Sequence, residues 1–124
     1  MSQDKILFAG LNEITNDMER NEYIEQIKNT MRRIVPDAEV ILYGSEARGE
    51  AHADSDIDLL ILVYKENLSY DEIVTITNPL YELELQEHFR VAISPLVYTR
   101  QQWYNRPCRT PFFINVMNEG VKLQ

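Results

Sequence analysis

The chain has 124 residues, 20 of them acidic and 12 basic, so its net charge is −8 and its length suits one domain over residues 1–124. The acidic balance, with no lysine and arginine cluster, argues against general nucleic-acid binding. A single cysteine, no signal peptide and no apolar run long enough to span a membrane predict a soluble cytoplasmic protein that does not bind membranes.

The first two predicted elements are a helix and a strand. Asn16, with Glu19 three residues later, is typical of a helix N-cap. Apolar residues then recur at helical spacing until Val35-Pro36, where the helix is expected to end. The alternating run over 38–43 predicts the first strand. The apolar residues of the helix are Ile24, Ile27, Met31 and Ile34.

Gly44 and Ser45 directly follow this strand, and the chain is expected to turn there into a short helical stretch over 46–48. A glycine lets a phosphate approach the backbone, while a serine hydroxyl and the first helical amides can donate hydrogen bonds to it. Gly-Ser after a strand is by itself a common turn, so its spacing from the acidic pair that follows carries the prediction. Arg48 could contact the outer phosphates of a nucleotide or form surface ion pairs with neighbouring glutamates.

Asp56 and Asp58 open the second predicted strand, which continues as an apolar run to Val63. Alternate residues of a strand share a face with Cα atoms about 7 Å apart, so the two carboxylates can share one or two hard cations. Because Leu60 and Leu62 continue that face as apolar residues, only the start of the strand is expected to reach solvent. A solvated edge strand would show polar residues along its whole length. Close carboxylates repel unless a cation neutralises them, and Mg²⁺ is the predicted metal.

The second half of the chain completes an α/β pattern. Ser69, with Glu72 three residues later, caps a second helix that Pro79 is expected to kink or split. A third strand is predicted over 90–97. The order helix, strand, strand, helix, strand indicates an α/β (α+β) fold, and the short connection predicts that the first two strands are antiparallel or close neighbours.

The last third of the chain is rich in aromatic side chains. Thr99 and Thr110 are expected to begin two short helices, the second closed by Gly120. The rings could stack on a base, but packing against the sheet or against a second copy in a homo-oligomer is the favoured interpretation. They belong to Tyr98, Trp103, Tyr104, Phe112 and Phe113.

The two central features together resemble a known signature. Gly44-Ser45, ten intervening residues and Asp56-x-Asp58, extended by residues 47–49 and by Ser55, resemble the minimal nucleotidyltransferases of the DNA polymerase beta superfamily. The resemblance covers most of the chain and implies a short mixed sheet flanked by helices. It also implies that the substrate is a nucleoside triphosphate, ATP by preference, bound with Mg²⁺. The implied reaction transfers a nucleoside monophosphate from it to a hydroxyl. The resemblance implies that Asp56 and Asp58 are the catalytic residues and metal ligands. It also implies that Gly44, Ser45 and Arg48 bind the nucleotide.

One departure from the family concerns a third carboxylate, which members usually carry on a later strand as metal ligand and base. The corresponding position falls on Ala92, with Ser94 next on that face, and neither can do that work. Removal of a positioned base costs a factor of about a hundred to ten thousand in rate. Glu87 lies just before this strand and Asp54 lies in the loop before Asp56, but replacement by either needs a suitable geometry.

Two functions are open at this point. The first is a nucleotidyltransferase acting on a hydroxyl of a protein or small molecule. The second is a catalytically impaired nucleotide-binding module, because small members of the family resemble the antitoxin that pairs with a helical toxin of the HEPN type. Other Asp-x-Asp enzymes fit less well: phosphatases place the pair at a strand's exit, and glycosyltransferases need a larger domain.

Overall fold

The structure is a computed structural model that describes residues 20–52, 55–87, 91–106 and 108–124. Its helices are α1 (20–34), α2 (Tyr70–Gln86), α3 (Arg100–Tyr104) and α4 (Pro111–Glu119). Its strands are β1 (Glu39–Tyr43), β2 (Ile57–Val63), β3 (Ile93–Thr99) and β4 (Val121–Lys122). The predicted cap at Asn16 and Glu19 lies outside the described residues. None of the described helices has the length and apolar character needed to cross a membrane.

The four strands form one mixed sheet in the order β3-β2-β1-β4. β1 and β2 run antiparallel with Tyr43 opposite Asp58, which confirms the orientation expected from their short connection. β3 runs parallel to β2 with Ser94 beside Asp58, and β4 pairs antiparallel with β1. The predicted α/β fold with a short mixed sheet flanked by helices is therefore confirmed.

The side chains of β2 divide between two hydrophobic clusters, one on each face of the sheet. The cluster on the α1/α2 face includes Ile27, Met31, Leu59, Ile61 and Leu80. The cluster on the α3/α4 face consists of Ile41, Leu60, Leu62, Trp103, Phe113 and Val116. Because β2 is covered on both faces, its sequence is a nearly continuous apolar run. Of the late aromatic residues, Trp103, Phe113 and Tyr98 pack in this cluster against the sheet, with Trp103 fully buried, whereas Tyr104 and Phe112 are exposed.

Side-chain caps begin the later helices where the sequence predicts them. The hydroxyls of Ser69, Thr99 and Thr110 each accept a hydrogen bond from the backbone N–H three residues later, at 3.0–3.1 Å. Each bond satisfies an amide that has no partner within its helix. The last of these helices, α4, ends at Gly120 as expected.

Three details differ from the predictions. α2 runs through Pro79 as one helix, so the proline does not split it, while the kink offered as the alternative stays a prediction. β3 begins at Ile93, three residues later than predicted, and the Ile93 N–H donates a 2.6 Å hydrogen bond to the buried carboxylate of Glu84. The segment 46–48 is a hydrogen-bonded turn rather than a helix, because the chain leaves it at Gly49, whose φ is +72°.

Candidate functional site

Gly44 lies in direct contact with the carboxylate of Asp58. Its φ of +75° is in the left-handed region, which glycine adopts without strain. A Cβ at this position would lie 2.5 Å from Asp58 Oδ2, so a larger residue would have to displace the carboxylate. The strand register explains the contact, since Asp58 pairs with Tyr43, the residue before Gly44. The predicted phosphate turn and the predicted metal ligands are thus neighbours.

In the turn after Gly44, three consecutive backbone amides have no acceptor among the residues that the structure describes. Its internal hydrogen bonds run from Arg48 N–H to Gly44 O at 3.2 Å and from Glu50 N–H to Ser45 O at 2.9 Å. The amides of residues 45–47 donate to no acceptor in the described ranges, nor does the Ser45 hydroxyl. Successive unpaired amides in a turn form a concave site for an anion. The turn can therefore accept a phosphate without losing a bond of its own.

Asp56 and Asp58 lie together at the start of β2. Asp56 immediately precedes the strand and is exposed, whereas Asp58, its second residue, is half-buried. Burial raises the pKa of Asp58, the charge of Asp56 raises it further, and the charge of Arg48 opposes the shift. The two carboxylates therefore repel each other in a partly desolvated place, which a cation would relieve.

The two carboxylates fit a magnesium ion better than a metal held by protein alone. Mg²⁺ takes one or two protein carboxylates and completes its shell with water and substrate phosphate oxygens. Within the residues that the structure describes, no third histidine, cysteine, aspartate or glutamate joins the pair in a metal-binding group. The assignment of Asp56 and Asp58 as metal ligands and catalytic residues stays a prediction that this donor set supports.

Ala92 and Ser94 occupy β3 beside the acidic pair. Ile57 N–H donates to Ala92 O at 2.9 Å, and Ser94 pairs directly with Asp58. By strand alternation both residues therefore belong to the acid-bearing α3/α4 face, as the sequence pattern predicts. The position expected for a third carboxylate holds an exposed methyl group.

Neither of the glutamates near β3 replaces the missing carboxylate. Glu84 is buried and accepts from Ile93 N–H, on the α1/α2 side of the sheet. Glu87 is the C-cap of α2 and, after burial and Glu84, contributes to raising the pKa of Tyr23 on α1. Asp54, the other candidate, lies outside the described residues.

Arg48 makes the surface ion pairs that the sequence offered as one of two interpretations. Its Nε lies 3.1 Å from Glu50 Oε2, and its Nη1 lies 3.6 Å from Glu119 Oε2 on α4. Its other neighbour in sequence, Glu46, pairs with a different residue. Exposed pairs of this kind contribute little, so a phosphate can compete for the guanidinium. Nucleotide binding by Gly44, Ser45 and Arg48 stays a prediction.

Arg20 contacts both halves of the motif, although no sequence pattern indicates such a role. Its Nε donates to Glu46 Oε2 at 2.5 Å, and its Nη2 donates to the carbonyl oxygen of Ser55 at 2.8 Å. These partners lie 26 and 35 residues further along the chain. An arginine in the first turns of an amphipathic helix is indistinguishable, in sequence, from an ordinary solvated charge.

Tyr43 is a second residue of the site that sequence reasoning missed. Its ring meets Phe112 edge-on, with centroids 5.5 Å apart. Burial, followed by the charge of Asp58 and by Tyr98, raises the pKa of Tyr43 to about 12. The phenol therefore stays protonated beside Asp58. The sequence signal that could have identified Tyr43 is its position directly before Gly44.

A separate cavity of about 410 Å³ lies at the other end of β2. Its lining includes Val35, Val63, Tyr64 and Ile76, and neither the turn nor the acidic pair contributes to it. Val63 lies five positions after Asp58 along the strand, which corresponds to about 17 Å. The cavity is therefore not part of the candidate site.

Comparison with known proteins decides the family. The family model described as nucleotidyltransferase domain matches residues 24–106, a range that contains the turn and both acids. The chain belongs to this nucleotidyltransferase family. The predicted membership of the DNA polymerase beta superfamily is thereby confirmed.

Two further proteins resemble this nucleotidyltransferase-family chain. A relative from Methanocaldococcus jannaschii, named "Putative protein adenylyltransferase", is 34% identical over 108 residues, which cover 86% of this chain and 100% of the relative. A crystal structure described as a toxin-antitoxin with AMP-PNP aligns with a TM-score of 0.53 and 20% identity. That alignment covers 81% of this chain and 71% of the other, and it shows a shared fold.

Proposed function

We propose that this chain is a magnesium-dependent nucleotidyltransferase that moves a nucleoside monophosphate from a nucleoside triphosphate to a hydroxyl of a protein or small molecule. The contact between Gly44 and Asp58 carries the proposal, because it joins an anion-binding turn to a carboxylate pair suited to a metal-bound polyphosphate. The name of the Methanocaldococcus jannaschii relative supports ATP as the donor and a protein as the acceptor.

Each part of the site has its own task in this reaction. The amides of residues 45–47 and the Ser45 hydroxyl bind phosphate oxygens. Asp56 and Asp58 hold Mg²⁺, which when bound neutralises charge on the phosphates. Arg48 adds positive charge once it leaves its two glutamate partners.

The transfer is a displacement at the α-phosphorus of the triphosphate. The acceptor oxygen forms a new bond to that phosphorus, the bond to the bridging oxygen of the β-phosphate breaks, and pyrophosphate leaves with the electron pair. The hydroxyl proton passes to water, because the described residues hold no carboxylate at the position of Ala92 to receive it. Catalysis then depends on positioning and electrostatic stabilisation, and turnover is slow.

Transfer of label from α-labelled ATP tests this function. With Mg²⁺ and proteins that copurify with the chain, we expect the native protein to label an acceptor. Asp56→Ala abolishes the labelling, while Asp37→Ala, which removes an exposed aspartate before β1, leaves it unchanged. Magnesium-dependent binding of ATP without any transfer would contradict the enzyme and favour the second function below.

The alanine at position 92 favours a second function, a nucleotide-binding module that has lost turnover and pairs with a helical partner of the HEPN type. The structural neighbour that is a toxin-antitoxin with AMP-PNP supports both a nucleotide and a protein partner. In this role, nucleotide binding at the turn would change the interaction with the partner, and no chemical product would form.

Ala92→Asp separates the two functions. The substitution places a carboxylate on the acid-bearing face, and Ala92→Asn is its uncharged control of similar size. A module that lacks only its base should gain transfer, by about a hundredfold or more over the asparagine variant. If the native chain itself transfers label above the background of Asp56→Ala, the module, which has no turnover, is excluded.

Partner and acceptor can be identified together. We propose that the protein works in the cytoplasm with a bound protein partner, as its single cysteine and its structural neighbour suggest. Purification from native cells, followed by mass spectrometry of everything that copurifies, would detect an added nucleotide on an acceptor. A partner recovered without such an addition would support the binding module.

A further inference from the structure

Arg20 joins two segments that the proposed function requires to act together. We infer that Arg20 is a positioning residue, which holds the phosphate-binding turn and the backbone before Asp56 in the arrangement that lets one metal-bound nucleotide contact both. The inference rests on the proposed nucleotide site, and the last measurement below separates its failure from the failure of that function.

The guanidinium of Arg20 donates in two directions. Nε binds Glu46 Oε2 in the turn, and Nη2 binds the Ser55 carbonyl at 2.8 Å. A rigid plane of five N–H donors allows this, whereas an ammonium offers a single point of charge. The Arg20 and Glu46 side chains are only 10% and 12% exposed. This ion pair is therefore shielded from solvent, unlike the exposed pairs of Arg48.

On the turn side, the contact fixes the peptide units expected to bind phosphate. Glu46 lies between two of the unpaired amides, and its own carbonyl accepts from Gly49 N–H at 3.2 Å. An isolated turn of this kind opens easily, because few bonds hold it. Anchoring the Glu46 side chain to α1 sets the direction in which the amides of residues 45–47 point.

On the acid side, the contact fixes the peptide from which Asp56 extends. The Ser55 carbonyl that accepts from Arg20 belongs to the peptide unit joining Ser55 to Asp56. Ser55 is further held by His52, since Ser55 N–H donates to His52 O at 3.0 Å and Ser55 Oγ accepts from His52 N–H at 2.8 Å. Arg20 thus connects Ser55 to α1 and, through Glu46, to the turn.

The contact of Arg20 with Glu46 (the turn arm) and its contact with the Ser55 carbonyl (the acid arm) predict different effects on nucleotide and metal binding. Glu46→Gln removes the charge from the turn arm alone, so ATP affinity falls while the Mg²⁺ concentration needed for half-maximal binding stays constant. Arg20→Met removes both arms, so ATP affinity falls and the Mg²⁺ requirement rises. Residues that orient metal ligands typically change metal affinity by about 10–100-fold when substituted. A residue that only stabilises the fold would produce no such separation.

ATP affinity measured across a magnesium titration tests the separation, at a temperature where circular dichroism shows each variant folded. For Arg20→Met we expect ATP affinity to fall by about tenfold or more, and the Mg²⁺ concentration needed for half-maximal binding to rise by a similar factor. Arg32→Met is the matched control, because Arg32 is exposed on the same helix and takes no part in the contact. Arg20→Lys should recover part of the loss, since a lysine cannot reach both acceptors. Equal behaviour of Arg20→Met and Arg32→Met would overturn the inference.

Hydrogen exchange of the nucleotide-free protein separates this inference from the proposed function. Arg20→Met should accelerate exchange of the amides of residues 45–50 and 55–58 relative to Arg32→Met. If exchange accelerates there but the native chain binds no ATP, the nucleotide function fails while the positioning role stands. If exchange in both segments is unchanged, Arg20 positions neither of them and the inference is wrong.

Discussion

The α1/α2 face and the α3/α4 face of the sheet are covered to different extents along the same strand. On the α1/α2 face, β2 is buried from Ile57 to Val63. On the α3/α4 face, Leu60 and Leu62 are fully buried, but Asp58 is half-buried and the preceding Asp56 is exposed. The cover provided by α3 and α4 thus stops short of the strand's start. A continuous core on one face holds the strand, while the incomplete cover on the other leaves its first acids available to a ligand.

Substitution of neighbouring residues on opposite faces should give the largest change in stability. Leu59 and Leu60 are both fully buried, so replacing either by alanine should lower the free energy of unfolding by about 2–5 kcal/mol. Urea unfolding measures this loss. Only Leu60→Ala alters the face that carries Asp58, so only this variant should also weaken ATP binding at low temperature. Equal loss of binding in both variants would show that the site does not depend on its own face.

Alanine substitution of two glycines with the same backbone conformation distinguishes the effect of backbone strain from the effect of contact with Asp58. Gly44 and Gly49 have φ values of +75° and +72°, so alanine at either position adds about 1–2 kcal/mol of strain. Only at Gly44 does a Cβ meet Asp58, since no atom lies within 4 Å of a Cβ at Gly49. Gly44→Ala should therefore also reduce Mg²⁺-dependent ATP binding, by about 10–100-fold, because disturbing the orientation of a metal ligand has an effect of that size on metal affinity.

Thermal unfolding and calorimetry of the two glycine variants provide the comparison. Similar losses of stability with a loss of binding confined to Gly44→Ala would support the contact. Loss of binding in Gly49→Ala as well would indicate that the whole turn, rather than the contact with Asp58, controls the nucleotide.

Asp58→Asn should stabilise the fold slightly while removing metal-dependent binding. Because the pKa of Asp58 is raised in the fold, its ionised form costs stability at neutral pH. That cost is absent below the unfolded pKa of about 3.9 and grows as pH rises through the folded pKa. The variant should gain less than about 1 kcal/mol near neutral pH, because solvent screens the half-buried group, and nothing at low pH.

Melting temperatures measured with and without Mg²⁺ at two pH values check this prediction. Mg²⁺ with ATP should raise the melting temperature of the native chain but not that of Asp58→Asn, since ligand binding to the folded state stabilises it. A variant less stable than the native chain near neutral pH would contradict the proposed repulsion between Asp58 and Asp56.

Arg48→Gln should have the smallest effect. Its ion pairs with Glu50 and Glu119 are exposed, so we expect no measurable change in thermal unfolding. ATP affinity should fall several-fold, because a positive charge near the outer phosphates is lost. Glu119→Gln is the control, since it frees Arg48 from one partner and should leave affinity unchanged or slightly raised. An unchanged affinity in Arg48→Gln would assign this arginine to the surface alone.

Local patterns indicated most of the fold and the main candidates for the site. The helical periodicity before Pro36, the caps at Ser69 and Thr110, and the short connection between β1 and β2 all act within a few residues of chain. For the same reason the Gly-Ser turn and the Asp-x-Asp pair could be recognised, along with the alanine where a third carboxylate was expected. The start of β3 was misplaced, because Glu84 and the pairing with β2 decide where its ladder begins.

The sequence by itself therefore determined the order of the elements as far as α4, the closeness of the first two strands and the residue types of the turn and acids. Only the tertiary structure decided which charges meet: Glu46 with Arg20, and Arg48 with Glu119 on α4. It also placed β4, a strand that the sequence analysis did not predict, beside β1. Periodicity records which side of an element is apolar. It does not record which distant side chain will lie opposite, because that depends on how the helices pack on the sheet.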